Sequence, residues 1–71
     1  MQKNSELTDR EHDVLHGVCR GLSNKRIAHE INISEHTVKF HVQNVITKLQ
    51  AENRTHAAVI YTYWCIKNPT H

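Results

Sequence analysis

The chain has little of what breaks or staples a fold. Its 71 residues include one proline (Pro69), two glycines (Gly17 and Gly21) and two cysteines (Cys19 and Cys65). A chain so poor in breakers reads as helical. The two cysteines form no CxxC pair and no legible disulfide framework. Isolated thiols in a small domain suit a reducing cytosol, so a cytoplasmic location is expected. The longest apolar run, Ala57 to Ile60, is too short to cross a bilayer, and no leader pattern opens the chain. No membrane partner is expected. So short a chain also has little backbone with which to wall a deep pocket, which argues against an enzyme. Aromatic residues are scarce too: one Phe, one Trp and two Tyr.

Charge is present in both signs but unevenly placed. Residues 1–13 carry four acids against two bases, whereas Val14 onward carries seven bases against three acids. The body of the domain is therefore about +4 under a formal total of +2. A basic body points, weakly, to an anionic partner.

Periodicity and capping residues divide the chain into helices. Residues 1–6 are polar and read as a flexible N-terminal segment. Thr8 followed by Glu11 makes a capping box, and Val14, Leu15, Val18 and Leu22 share one face of the first helix. Gly21 suits a left-handed end. Ser23 caps a short second helix with Ile27, Ala28 and Ile31 facing inward. Asn32 follows where the chain must turn, and Asn tolerates the left-handed conformation. Ser34 caps a third helix running to about Gln50, with Glu35 near its positive end. Val38, Val42, Val45, Ile46 and Leu49 form its buried stripe. Asn53 caps a fourth helix, RTHAAVIYTYWCIK, which ends before Pro69. AVIYTYW is β-prone by composition, but its cap and length favour helix. The expected fold is all-α, a four-helix bundle over residues 7–67 with a tail over 68–71.

The second and third helices, joined by a tight turn, match a helix-turn-helix. Counting from Asn24, apolar residues fall at places four, eight, ten and fifteen: Ile27, Ile31, Ile33 and Val38. Place five is Ala28, small where the helices cross. His41 occupies place eighteen, which is often apolar. The solvent side of the third helix carries His36, Lys39, Phe40, Gln43, Asn44 and Thr47. A major groove accepts a helix and displays donors, acceptors and thymine methyls. Lys39 can donate to guanine, Gln43 and Asn44 can pair with an adenine edge, and Phe40 can pack on a thymine methyl. The competing reading lays Phe40 back along its own helix.

The segments LTDREHDVL, GLSNKRIAHEINISEHTVKFHVQNVITKL and NRTHAAV together resemble the LuxR-type DNA-binding domain, also called GerE- or NarL/FixJ-type. The resemblance covers roughly residues 7–63, and His41 is an expected residue in that family. It implies sequence-specific binding of duplex DNA by the third helix in the major groove. It also implies a bacterial transcription regulator or its output domain, active on the nucleoid, with RNA polymerase as a candidate further partner. Lys39, Phe40 and Gln43 match the family's base-reading positions. Asn24, Lys25, Thr37, His41, Lys48 and Arg54 are candidate phosphate contacts. Such domains usually follow a phosphoreceiver or small-ligand sensor, and some stand alone. Two departures are visible. Arg26 replaces a usual Glu and would add charge toward DNA. Gln50-Ala51 replaces a usual Gly-Val before the last turn.

The fourth helix has two apolar faces, of which a surface helix needs only one. Ala57, Ile60, Tyr61 and Trp64 make one. Val59, Tyr63 and Ile66 make the other, a candidate interface for a weak homodimer on an inverted repeat, as the resemblance also implies. They could instead be ordinary exposed apolar residues. The competing function is a helical protein-interaction module that has lost specific DNA binding. His12, His16 and Cys19 have the spacing of a partial zinc site, but no fourth ligand is evident, and no metal or other cofactor is expected.

Overall fold

The computed structural model describes residues 7–69. The expected flexible segment over 1–6 lies outside the described residues, as do the last two residues of the expected tail. Four helices follow in order: α1 (Asp9–Cys19), α2 (Asn24–Ile31), α3 (Glu35–Leu49) and α4 (Arg54–Lys67). The domain is all-α, with no strand among the described residues.

Every helix starts on a side-chain cap. The Thr8 hydroxyl accepts from the Glu11 N–H at 3.1 Å, and the Glu11 carboxylate accepts from the Thr8 N–H at 3.0 Å. Ser23 and Ser34 accept from the Arg26 and Thr37 N–H groups. Asn53 caps α4 by accepting from the His56 N–H at 2.8 Å, and His56 Nδ1 accepts in return from the Glu52 N–H at 3.0 Å. That second bond ties the residue before the cap to the first turn of α4.

The helix ends are equally specific. Gly21 has φ of +79°. The Gly21 N–H donates to the Val18 carbonyl and the Leu22 N–H to the Gly17 carbonyl, the two bonds of a Schellman motif. Asn32 takes the left-handed conformation after α2, as its side chain led us to expect. Gln50 does the same after α3, with φ of 57°, although it is not a residue that favours this region. The left-handed turn that Gly would supply is therefore kept with Gln.

Two apolar clusters hold the helices together. Val14, Ile27, Ala28, Val38 and Val42 join α1, α2 and α3. Leu7, Leu15, Val45, Leu49, Ala57 and Tyr61 join α1, α3 and α4. Helices α1 and α2 approach so closely that a Cβ on Gly17 would lie 2.7 Å from Ile27 Cγ1. The effect of this double core is to fix α3 along its inner face while leaving its outer face to solvent.

Candidate nucleic-acid interface

The turn between α2 and α3 comprises Asn32, Ile33 and Ser34. Ile33 donates its N–H to the Ala28 carbonyl and packs its side chain against the inner cluster. The turn is thus anchored on both sides, and the angle of α3 relative to α2 is set by core residues.

The outer face of α3 presents His36, Lys39, Phe40, Gln43 and Thr47 as exposed residues, with Asn44 half-buried beside them. Phe40 is 61% exposed. Its ring neighbours the His41 ring at 6.0 Å, tilted by 58°, and stays largely in solvent. The structure thus brings Lys39, Phe40, Gln43 and Asn44 onto one continuous surface, and an exposed phenyl ring lies in the middle of it.

The flanking residues separate into two groups. Lys25 is exposed in the first turn of α2. Thr37 is half-buried, its hydroxyl 2.8 Å from the Ser34 hydroxyl at the start of α3. His41 is half-buried, and its Nδ1 is buried with no hydrogen-bond partner among the described residues. These three stand around the outer α3 face or at the N-terminus of α2. Asn24 is half-buried there as well, and its side-chain oxygen accepts from Arg54 Nη1.

Lys48 and Arg54 each make bonds within the domain. Lys48 Nζ donates to Glu11 Oε1 at 2.7 Å. Glu11 is only 3% exposed, so this bond partners a carboxylate that would otherwise be buried beside apolar residues. Burial pushes the Glu11 carboxyl up; the Lys48 hydrogen bond, the Thr8 N–H and the charges of Lys48 and His41 outweigh it and hold the group below its ordinary value. Arg54 donates to the Asn24 side chain and, at 3.2 Å, to the Leu22 carbonyl, tying the start of α4 to the start of α2. Both cations are engaged in holding helices together. Arg26 Nε lies 3.4 Å from Glu30, which accepts from Arg20 at 3.0 Å. One carboxylate is thus shared by two guanidinium groups, and Arg26 stays largely exposed.

The sequence reading missed the Glu11–Lys48 pair. Its signal was an acid in the α1 capping box and a lysine at the penultimate position of α3. The spacing along the chain gave no means of pairing them. Of the trio His12, His16 and Cys19, the first and last make contacts with α4 and His16 is exposed. The Tyr61 hydroxyl lies 3.1 Å from His12 Nδ1, and Cys19 Sγ donates to the Ala58 carbonyl at 3.7 Å. Burial first, and the neighbouring Cys65 next, push the Tyr61 hydroxyl up to about 12.

On α4, Val59, Tyr63 and Ile66 are exposed together on the side away from the core. They rim an open groove that Val18, Leu22 and Ala58 continue toward α1. No helix among the described residues is long and apolar enough to cross a membrane.

Two short helices joined by an anchored turn, the second carrying an outward polar and aromatic face, define a helix-turn-helix nucleic-acid-binding domain. Residues 5–61 match the family described as bacterial regulatory proteins, luxR family, and the chain belongs to it. It is 51% identical over 57 residues to the nitrate/nitrite response regulator protein NarP of Escherichia coli (strain K12), covering 80% of this chain and 26% of that protein. It is 50% identical over 58 residues to the uncharacterized transcriptional regulatory protein YhcZ of Bacillus subtilis (strain 168), covering 82% of this chain and 27% of that protein. The response regulator protein VraR of Staphylococcus aureus (strain Mu3 / ATCC 700698) is 42% identical over 67 residues, 89% of this chain and 32% of VraR. The chain thus spans about a quarter to a third of the length of these relatives. Fold, motif and family together make it a DNA-binding domain of transcription regulation.

Proposed function

We propose that this domain binds duplex DNA sequence-specifically, with α3 lying in the major groove, as the output part of a bacterial transcription regulator. The observation that carries the reading is the outer face of α3, where Lys39, Phe40, Gln43 and Asn44 sit together with Phe40 in solvent. Base edges in the major groove offer partners to all four side-chain types. Lys25, Thr37, Asn24 and His41 surround that face and serve as phosphate contacts that hold its register. Lys48 and Arg54 are left out of the phosphate set, because their charged groups already donate within the domain, whereas Asn24, bonded through its oxygen, still has amide N–H groups to offer. The α2 N-terminus adds unpaired N–H groups that favour phosphate.

The exposed α4 face supports a homodimer. Val59, Tyr63 and Ile66 offer a small apolar surface, well below what a stable interface buries, so association in solution is weak and DNA with two half-sites assembles the pair. An inverted repeat then follows from the two-fold symmetry of such a dimer. NarP is named for the nitrate/nitrite response and VraR as a response regulator. By analogy this domain is governed by a sensing or receiver part and acts on the bacterial nucleoid, with RNA polymerase as a further partner where it activates.

Selection from a random duplex pool at near-physiological salt tests the reading. An inverted repeat enriched by the 71-residue chain supports it. Ile66→Glu should then weaken binding to the repeat while leaving a single half-site unchanged. Binding without enrichment that vanishes as salt rises would reduce the domain to charge attraction and favour the protein-interaction module.

A further inference from the structure

We infer that Phe40 makes the domain demand a thymine C5-methyl group in each half-site, so that a methyl rather than a hydrogen bond is read at that position. The inference rests on the DNA reading above and narrows it to one base and one atom.

Phe40 is 61% exposed, and its one ring contact among the described residues, to His41, leaves its outward side uncovered. An exposed phenyl ring on the reading helix meets whatever lines the groove. Stacked bases offer a side chain their edges and not their faces, and the apolar group a base pair displays in the major groove is the thymine methyl. Every other edge carries an acceptor or a donor. A phenyl ring pressed on such a group strips its water without replacing the hydrogen bond, which is unfavourable. Phe40 therefore selects for thymine and against the other bases at one place.

The surrounding charge sharpens the argument. Among the described residues on the outer α3 face, Lys39 is the only Lys or Arg, since Lys48 bonds Glu11 and Arg54 bonds Asn24 and Leu22. One group suited to guanine faces two amides suited to adenine, Gln43 and Asn44. These amides follow Phe40 at three and four residues, which places all three side chains side by side on the helix surface. The thymine read by Phe40 then neighbours an adenine read by an amide, giving an A·T-rich half-site core.

The test uses the duplex enriched by selection. Each thymine is replaced in turn by deoxyuridine, which removes the methyl and leaves every hydrogen-bonding group in place. Affinity is measured for the wild-type chain and for Phe40→Ala, with circular dichroism showing that the variant is folded. One thymine per half-site should be sensitive, with wild-type binding falling about fourfold for each methyl lost, as about 0.8 kcal/mol per buried carbon implies. Phe40→Ala should bind the thymine and deoxyuridine duplexes alike. Placing 5-methylcytosine for cytosine at that position should tighten wild-type binding only. Wild-type binding indifferent to every deoxyuridine, or a loss of the same size in Phe40→Ala, would overturn the inference while leaving sequence-specific binding standing. A pool that enriches nothing would instead overturn the DNA reading and this inference with it.

Discussion

Glu11 shows how much one side chain decides here. It caps α1, lies almost wholly buried, and accepts from Lys48 on α3. Its carboxyl is held below the ordinary value in the folded chain. A group whose pKa is depressed by folding adds stability above its unfolded pKa, and that stability is lost as pH falls through the folded value. Glu11→Gln should therefore cost about 2 kcal/mol at pH 7, the scale of a hydrogen bond to a charged group. The gap between wild type and variant should close from about pH 5 downward. Urea unfolding at a series of pH values reads it directly, and a gap independent of pH would refute the assignment. Gln50 is the opposite case, a residue in a conformation it disfavours. The left-handed penalty is about 1–2 kcal/mol, while glycine gives back about 0.4–1 kcal/mol through its freer unfolded chain. Gln50→Gly should thus stabilise the domain by about 0.5–1 kcal/mol, seen as a higher urea midpoint at unchanged slope.

At the level of elements, α1 and α2 meet closely at Gly17. Gly17 lies in the last turn of α1, where alanine has the higher helix propensity. Here its Cβ would come within 2.7 Å of Ile27 Cγ1, on a residue 1% exposed. Overpacking costs about 1–3 kcal/mol, so Gly17→Ala should be destabilising on balance. Combining it with Ile27→Ala should cost less than the sum of the two, because the second change removes the atoms in conflict. The helices themselves were readable from local chemistry. Thr8, Ser23, Ser34 and Asn53 cap where their side chains predicted, and the α3 stripe is buried as its spacing required. Caps and stripes are encoded within a few residues of one another. The Gly17–Ile27 approach, the Glu11–Lys48 bond and the Arg54–Asn24 bond join residues on different helices. Nothing local in the chain states such a distance, which is why the outer face of α3 was legible in the sequence and the internal bonds of Lys48 and Arg54 were not.

For the molecule as a whole, those internal bonds set the electrostatics of binding. Each phosphate neutralised by a lysine or arginine lowers the slope of log affinity against log salt by about 0.9. With Lys48 and Arg54 bonded inside the domain, Lys25 and Lys39 remain as the lysines on the binding side. Lys39 is directed at bases in the proposed complex, so each domain should contribute a slope of roughly −1 to −2 and a dimer roughly −2 to −4. Lys25→Ala should flatten the dimer slope by about 2, one unit per domain, and weaken all sequences alike. Lys48→Met should lower stability yet leave the slope unchanged at a temperature where the variant is fully folded. Fluorescence anisotropy across a salt series, run beside thermal melts, separates these effects. A flattened slope for Lys48→Met would mean that its ammonium leaves Glu11 for phosphate on binding. The buried carboxylate would then lose its partner, and DNA affinity would weaken as its protonation was prevented at higher pH. Against a domain with so few cations to spare, discrimination must come chiefly from uncharged groups on α3, and salt should change its affinity far more than its choice of sequence.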